Sequence, residues 1–126
     1  MLTDSFSGEP LLKPHADGVL WTLENTFVIH DNVLGSMMIP KGFVTDLGSI
    51  PKIFQNIISP EGRPLRAYLG HDYLYAMQEF TRAESDACLL RMMKSLNVGL
   101  IERWIIYIAV RFGGWIAWNE DAKKLK

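Results

Sequence analysis

The chain has 126 residues and a mass of 14.3 kDa, one domain's worth of polypeptide, and 48% apolar against 21% charged residues excludes a disordered or low-complexity chain. Thirteen basic and fourteen acidic residues leave a formal charge of −1, without the basic excess that holds a nucleic-acid backbone, so no nucleic-acid partner is expected. A single cysteine, Cys88, excludes an internal disulfide framework and a multi-cysteine zinc site, and the fold must rest on packing.

The N-terminal residues have neither a basic n-region nor an apolar h-region, so no signal peptide is expected and synthesis is assigned to the cytoplasm. Residues 1–17 and the charged tail 119–126 are expected to be flexible ends of a single domain spanning 1–126. From Gly18 to Thr45 short runs of β-branched and aromatic residues alternate with turn formers. Val19–Leu23, Thr26–Ile29 and Leu34–Ile39 are predicted strands, separated by Glu24-Asn25 and His30-Asp31-Asn32, and a small antiparallel meander is their simplest assembly. Phe43 to Pro51 is expected to be irregular or extended, because Gly42, Gly48 and Pro51 disfavour helix; Pro60, Gly62 and Pro64 then mark a loop.

From Leu65 the apolar period becomes helical. A first helix is predicted over Leu65–Met77 and a turn at Gln78-Glu79-Phe80. Thr81 is placed as an N-cap, with Glu84 completing a capping box. A second helix then runs from Arg82 to about Leu96 and ends near Asn97 and Gly99. The third, from about Ile101, is predicted to stop at Gly113-Gly114. Its apolar run from Trp104 to Trp118, broken by Arg111 and the two glycines, is shorter than the ~20 residues that span a bilayer, so no transmembrane helix is expected. Trp104 is placed in the core. A meander followed by a helix hairpin and a third helix is an α+β fold.

The chemistry-bearing residues lie on the first two helices. Asp86 falls on the same stripe as Ala83, Leu89, Leu90 and Met93, where a core residue is expected, and an unpaired charge there is costly. It must find a partner, take a proton or open onto a cleft. On the preceding helix His71 and Tyr75 share a face at i, i+4. Antiparallel packing brings His71 and Asp86 to one height within a turn, counting ~1.5 Å per residue from the connecting turn. A histidine held by a carboxylate has its tautomer fixed, and its second ring nitrogen is left to take a proton from water. Asp72 points ~100° away around the helix and is a candidate ligand for a hard cation such as calcium, together with the Asp46-Leu47 stretch, where Gly48 lets the chain turn and expose carbonyls. Cys88 is read as a small packed hydrophobe, Ser49 as a turn residue, Met37, Met38, Met92 and Met93 as core filler, and His15 and His30 as solvated. One good histidine among carboxylates is a poor zinc set.

Three ordered blocks, Gly42-Phe-Val-Thr-Asp-Leu-Gly-Ser-Ile-Pro51, Arg66-Ala-Tyr-Leu-Gly-His-Asp-Tyr-Leu-Tyr75 and Arg82-Ala-Glu-Ser-Asp86, followed by Ala109-Val-Arg-Phe-Gly113, resemble the phage and prophage family called domain of unknown function 1353. That resemblance covers nearly the whole chain; it implies a bacterial virus or prophage and a bacterial host cytoplasm or virion, and it carries no established activity. A second, local resemblance, over about residues 43 to 93, is to the catalytic helix pair of phospholipase A2. It implies His71 as the base that activates water, Asp72 as the calcium carboxylate, Tyr75 and Asp86 as the supporting pair, and Asp46 and Leu47 as the upstream calcium loop. The flanking cysteine pair and the Gly-rich calcium loop of the secreted enzymes are absent.

Two functions are therefore expected alternatives. One is a calcium-dependent hydrolase of an ester, with a lipid or membrane surface as partner, which Trp104, Trp115 and Trp118 help to approach. The other is a non-enzymatic virion or assembly protein, or a modulator that binds a host or virion protein, in which the polar cluster only locks the helices together. The sequence leaves the oligomeric state open.

Overall fold

A computed structural model describes residues 6–18, 20–46 and 65–125 of the chain. Among the described residues six strands precede three helices: β1 Phe6–Ser7, β2 Leu12–Pro14, β3 Trp21–Leu23, β4 Phe27–Asp31, β5 Gly35–Ile39, β6 Val44–Thr45, then α1 Leu65–Met77, α2 Arg82–Ser95 and α3 Leu100–Lys124. The α+β class expected from the sequence is the class observed.

The strands form two antiparallel three-stranded sheets, ordered β1-β4-β5 and β2-β3-β6. β4 and β5 make the expected hairpin, with Phe27 opposite Ile39 and Ile29 opposite Met37, and those four side chains are the buried face of the period-2 alternation. Its turn is set by Asp31, whose carboxylate accepts from the backbone N–H groups of Val33 and Leu34 at 3.1 and 2.9 Å. β3 does not continue that sheet. It pairs outward with β2 and β6, both outside the predicted strands, so residues 12–14 are tied to 21–23. His15, expected to be solvated, is half-buried and bonded to the Thr22 hydroxyl.

The helix hairpin forms where the sequence placed it. Thr81 accepts from Glu84 N–H at 3.1 Å and Glu84 accepts from Thr81 N–H at 2.9 Å, a reciprocal capping box that satisfies donors a helix start leaves open. Gln78 and Asn97 take positive φ, 52° and 59°, and so close α1 and α2 where the chain reverses. Gly70 is the close-packing point: a Cβ there would stand 2.6 Å from Ile29 Cδ1 and 2.8 Å from Met92 Sδ, so only glycine lets α1, α2 and β4 meet. The core between hairpin and helices includes Leu69, Leu74, Leu89, Met93 and Ile106.

α3 corrects the sequence reading. The helix runs straight through Gly113-Gly114 to Lys124 instead of stopping there. A Cβ on Gly114 would lie 2.5 Å from the Tyr75 hydroxyl, so Gly114 answers to close helix packing, whereas a Cβ on Gly113 would meet nothing within 4 Å; neither ends the helix. Trp104 is also not a core residue: it is 45% exposed, its ring set edge-on against Tyr107 at 5.5 Å. Among the described residues no helix is long and apolar enough to cross a membrane.

Candidate functional site

α1 and α2 pack antiparallel and set His71 and Asp86 face to face, as their heights predict. His71 Nε2 lies 2.8 Å from Asp86 Oδ1, with Asp86 fully buried and His71 5% exposed. One turn along α1, the Tyr75 hydroxyl donates to the same oxygen at 2.6 Å, and the His71 and Tyr75 rings lie 4.3 Å apart. The other oxygen, Oδ2, accepts from Arg111 Nη1 of α3 at 2.8 Å and from Arg82 Nη1 at 3.4 Å. Arg82 is oriented in turn by the α3 carbonyls of Val110 and Arg111, at 3.0 and 3.3 Å. Gly114 makes this approach possible, since a Cβ there would also crowd Arg82 Nη1 at 3.3 Å.

Burial opposes ionisation of Asp86, but the hydrogen bonds from His71, Tyr75 and Arg111 outweigh it and hold the carboxyl below its usual range. The Tyr75 phenol is pushed up, by burial first and then by the adjacent Asp86 carboxylate, and so stays a neutral donor. Among the described residues His71 Nδ1 has no hydrogen-bond partner.

His71 and Tyr75 line a cavity of about 530 Å³ between α1 and α3. Ile106, Ala109, Val110, Ile116 and Ala117 form its apolar wall, while Asp46, Asp72, Glu120, Asp121 and Lys124 gather at the polar side. Asp72 is held by the Thr45 hydroxyl at 2.6 Å and by the Asp46 backbone N–H. Burial, with repulsion from Asp46 and Asp121, pushes its carboxyl up to about 7 against the pull of the Thr45 bond. Asp121 is pushed up as well, by burial and then by Asp46 and Glu120, against Lys124.

The four residues His71, Asp72, Tyr75 and Asp86 thus lie together, with Asp46 beside Asp72. Leu47 lies outside the described residues. Among the described residues no group of three or more His, Cys, Asp or Glu side chains is arranged to hold a metal ion. Asp46 and Asp72 offer hard oxygen donors, the class calcium takes and zinc does not favour, and the rest of a calcium shell would have to be carbonyls and waters. Cys88 is buried and its thiol is pushed up to about 12 by burial, so it packs and does not react.

The sequence reading passed over the functional weight of Arg82, Arg111, Thr45, Gly114 and Asp121. Two signals were present. Arg82 stands four residues before Asp86, the spacing of a helical ion pair, and Arg111 is the single charge in the run from Trp104 to Trp118.

A family model described as "Protein of unknown function (DUF1353)" matches residues 21–110. No curated protein and no solved structure matches the chain. The matched span holds His71, Asp72, Tyr75, Arg82 and Asp86 and ends one residue before Arg111.

Proposed function

The chain belongs to the DUF1353 family, and for this member we propose a hydrolase that activates water on His71 to cleave an ester with an apolar chain, in the manner of phospholipase A2. The observation that carries the reading is the 2.8 Å His71–Asp86 bond in the wall of a cavity with one apolar and one polar side. Asp86 takes the Nε2 proton bond and leaves Nδ1 of this cavity-lining histidine without a bond to the carboxylate. His71 removes a proton from water through Nδ1, and the ion pair with Asp86 stabilises the imidazolium that forms. Tyr75 fixes the same carboxylate oxygen and buttresses the His71 ring. The apolar residues of α3 hold the acyl chain and exclude water from it. Calcium bound through Asp72, Asp46 and the Leu47 stretch would supply Lewis-acid polarisation of the ester carbonyl.

This reading gives the protein a lipid or membrane surface as partner. It is consistent with a phage or prophage protein that acts in the bacterial host cytoplasm or is carried in the virion. The test is release of fatty acid from mixed phosphatidylglycerol and phosphatidylethanolamine vesicles, with and without calcium. His71→Ala should lower the rate by about 10²–10⁴ and keep the fold. No hydrolysis by the wild-type protein, in either condition, overturns the proposal.

One observation favours a second reading. Asp86 accepts from His71 and Tyr75 of α1, Arg82 of α2 and Arg111 of α3, so a single carboxylate joins α1, α2 and α3. In a non-enzymatic virion or assembly protein, or a host-factor modulator, that joint would be the whole purpose of the cluster. Neither the wild-type protein nor Asp86→Asn would then hydrolyse lipid, and the variant would differ from wild type only in its lower melting temperature.

A further inference from the structure

Asp86 is surrounded by donors. Its Oδ2 faces the two guanidinium groups of Arg111 and Arg82, and its Oδ1 faces His71 Nε2 and the Tyr75 hydroxyl. Guanidinium has no acceptor site, so a proton on Oδ2 would point at two cations and is excluded. Only Oδ1 could carry it, and from there it would be donated to His71 Nε2. The imidazole of His71, a residue of the cavity wall, would then have to keep its own proton on Nδ1. With Asp86 left as a carboxylate, Nε2 is the protonated nitrogen and the neutral imidazole has Nδ1 bare; Nδ1 gains a proton only when the pair takes one up from solvent.

Arg111 is the stronger of the two cations at this carboxylate, at 2.8 Å against 3.4 Å, and it is brought there by α3, which the close contact of Gly114 with Tyr75 holds against α1. We propose that Arg111 is a positioning residue which, by holding Asp86 as an acceptor-only carboxylate, locks His71 in the Nε2–H tautomer and keeps Nδ1 open as a base. Arg82 assists from α2, itself held by Val110 and Arg111 carbonyls. In this arrangement the docking of α3 switches on a base that resides on α1. The inference deepens the proposed water activation and rests on His71 as its base, but its readout needs no turnover.

The experiment is nitrogen-15 NMR of the His71 imidazole in the full chain at neutral pH, which reports separately which ring nitrogen carries a proton. The wild-type protein should show Nε2 protonated and Nδ1 bare. Arg111→Gln keeps a donor near Oδ2 but removes the charge; most of its population should lose the bare Nδ1. Arg111→Lys should restore it. Circular dichroism accompanies each variant, and Arg82→Gln, with a weaker shift in the same direction, serves where Arg111→Gln does not fold. A proton on Nδ1 in the wild-type protein, or a bare Nδ1 in folded Arg111→Gln, overturns the inference. A correct tautomer response in a protein that hydrolyses no lipid would leave the inference standing and remove the proposed function.

Discussion

At the residue scale, the cluster separates side chains that do chemistry from those that hold them. Replacing His71 by alanine opens space at the cavity wall and removes the base, so the chemical loss of about 10²–10⁴ should come with a modest change in melting temperature. Asp86→Asn is different. It leaves Arg111 and Arg82 facing a neutral amide in a fully buried position, and breaking a buried ion pair on one side typically costs about 3–5 kcal/mol. Thermal denaturation should therefore place Asp86→Asn well below His71→Ala, whereas in a purely catalytic cluster both would melt near the wild-type temperature. Gly114→Ala tests the same joint sterically: the added methyl meets the Tyr75 hydroxyl at 2.5 Å, and an overpacking cost of about 1–3 kcal/mol is expected in denaturant titrations. Tyr75→Phe in the Gly114→Ala background should return part of that loss, because it removes the atom that is struck.

At the element scale, the helix hairpin was readable because local rules and tertiary packing agree there. Thr81 and Glu84 signal the start of α2, and the capping box forms with both bonds in place. Thr81→Ala should cost about 1 kcal/mol, which for a domain of this size lowers the melting temperature by about 3–6 °C, measured by circular dichroism. His71 and Asp86 were placed together from helix rise alone, since an antiparallel hairpin with a short turn has one register. What failed was local inference from glycine. Gly113-Gly114 carry the composition of a helix end, yet the demand Gly114 meets is the close approach of Tyr75 and Arg82, a long-range contact that no window of sequence contains. The same holds for β2 and β6, each too short to show a period and visible only through pairing with β3. Arg111 was legible as a lone charge in an apolar run, but its partner, 25 residues away on another helix, was not.

At the scale of the whole molecule, two aspartates act as polar joints between elements that also share one apolar core. Asp31 at the β4–β5 turn accepts from Arg91 of α2 at 3.0 and 2.9 Å, tying the hairpin to the helices, and Asp86 ties the helices to one another. For both, burial works against ionisation, and the donors overcome it: Arg91 with the Leu34 and Val33 N–H groups for Asp31, and His71, Tyr75 and Arg111 for Asp86. Each carboxyl therefore ionises at lower pH in the folded chain than in the unfolded one, where it follows the ordinary value of about 3.9. A group lowered in this way stabilises the fold fully above that unfolded value, and the stabilisation is lost as pH falls through the folded value. The protein should thus hold its melting temperature from neutrality down to about pH 5 as far as these two groups are concerned, and lose it steeply below about pH 4. Asp86→Asn and Asp31→Asn should each melt lower than wild type at neutral pH and show a flatter acid limb, because each has already lost one of the two protonations that drive it. The double variant should be flatter still, with the two effects nearly additive, since the joints lie on different faces of α2 and share no partner. Melting curves of the four proteins across acid pH decide this: an acid limb equally steep in all four would show that neither joint carries the coupling between the sheet, the hairpin and α3.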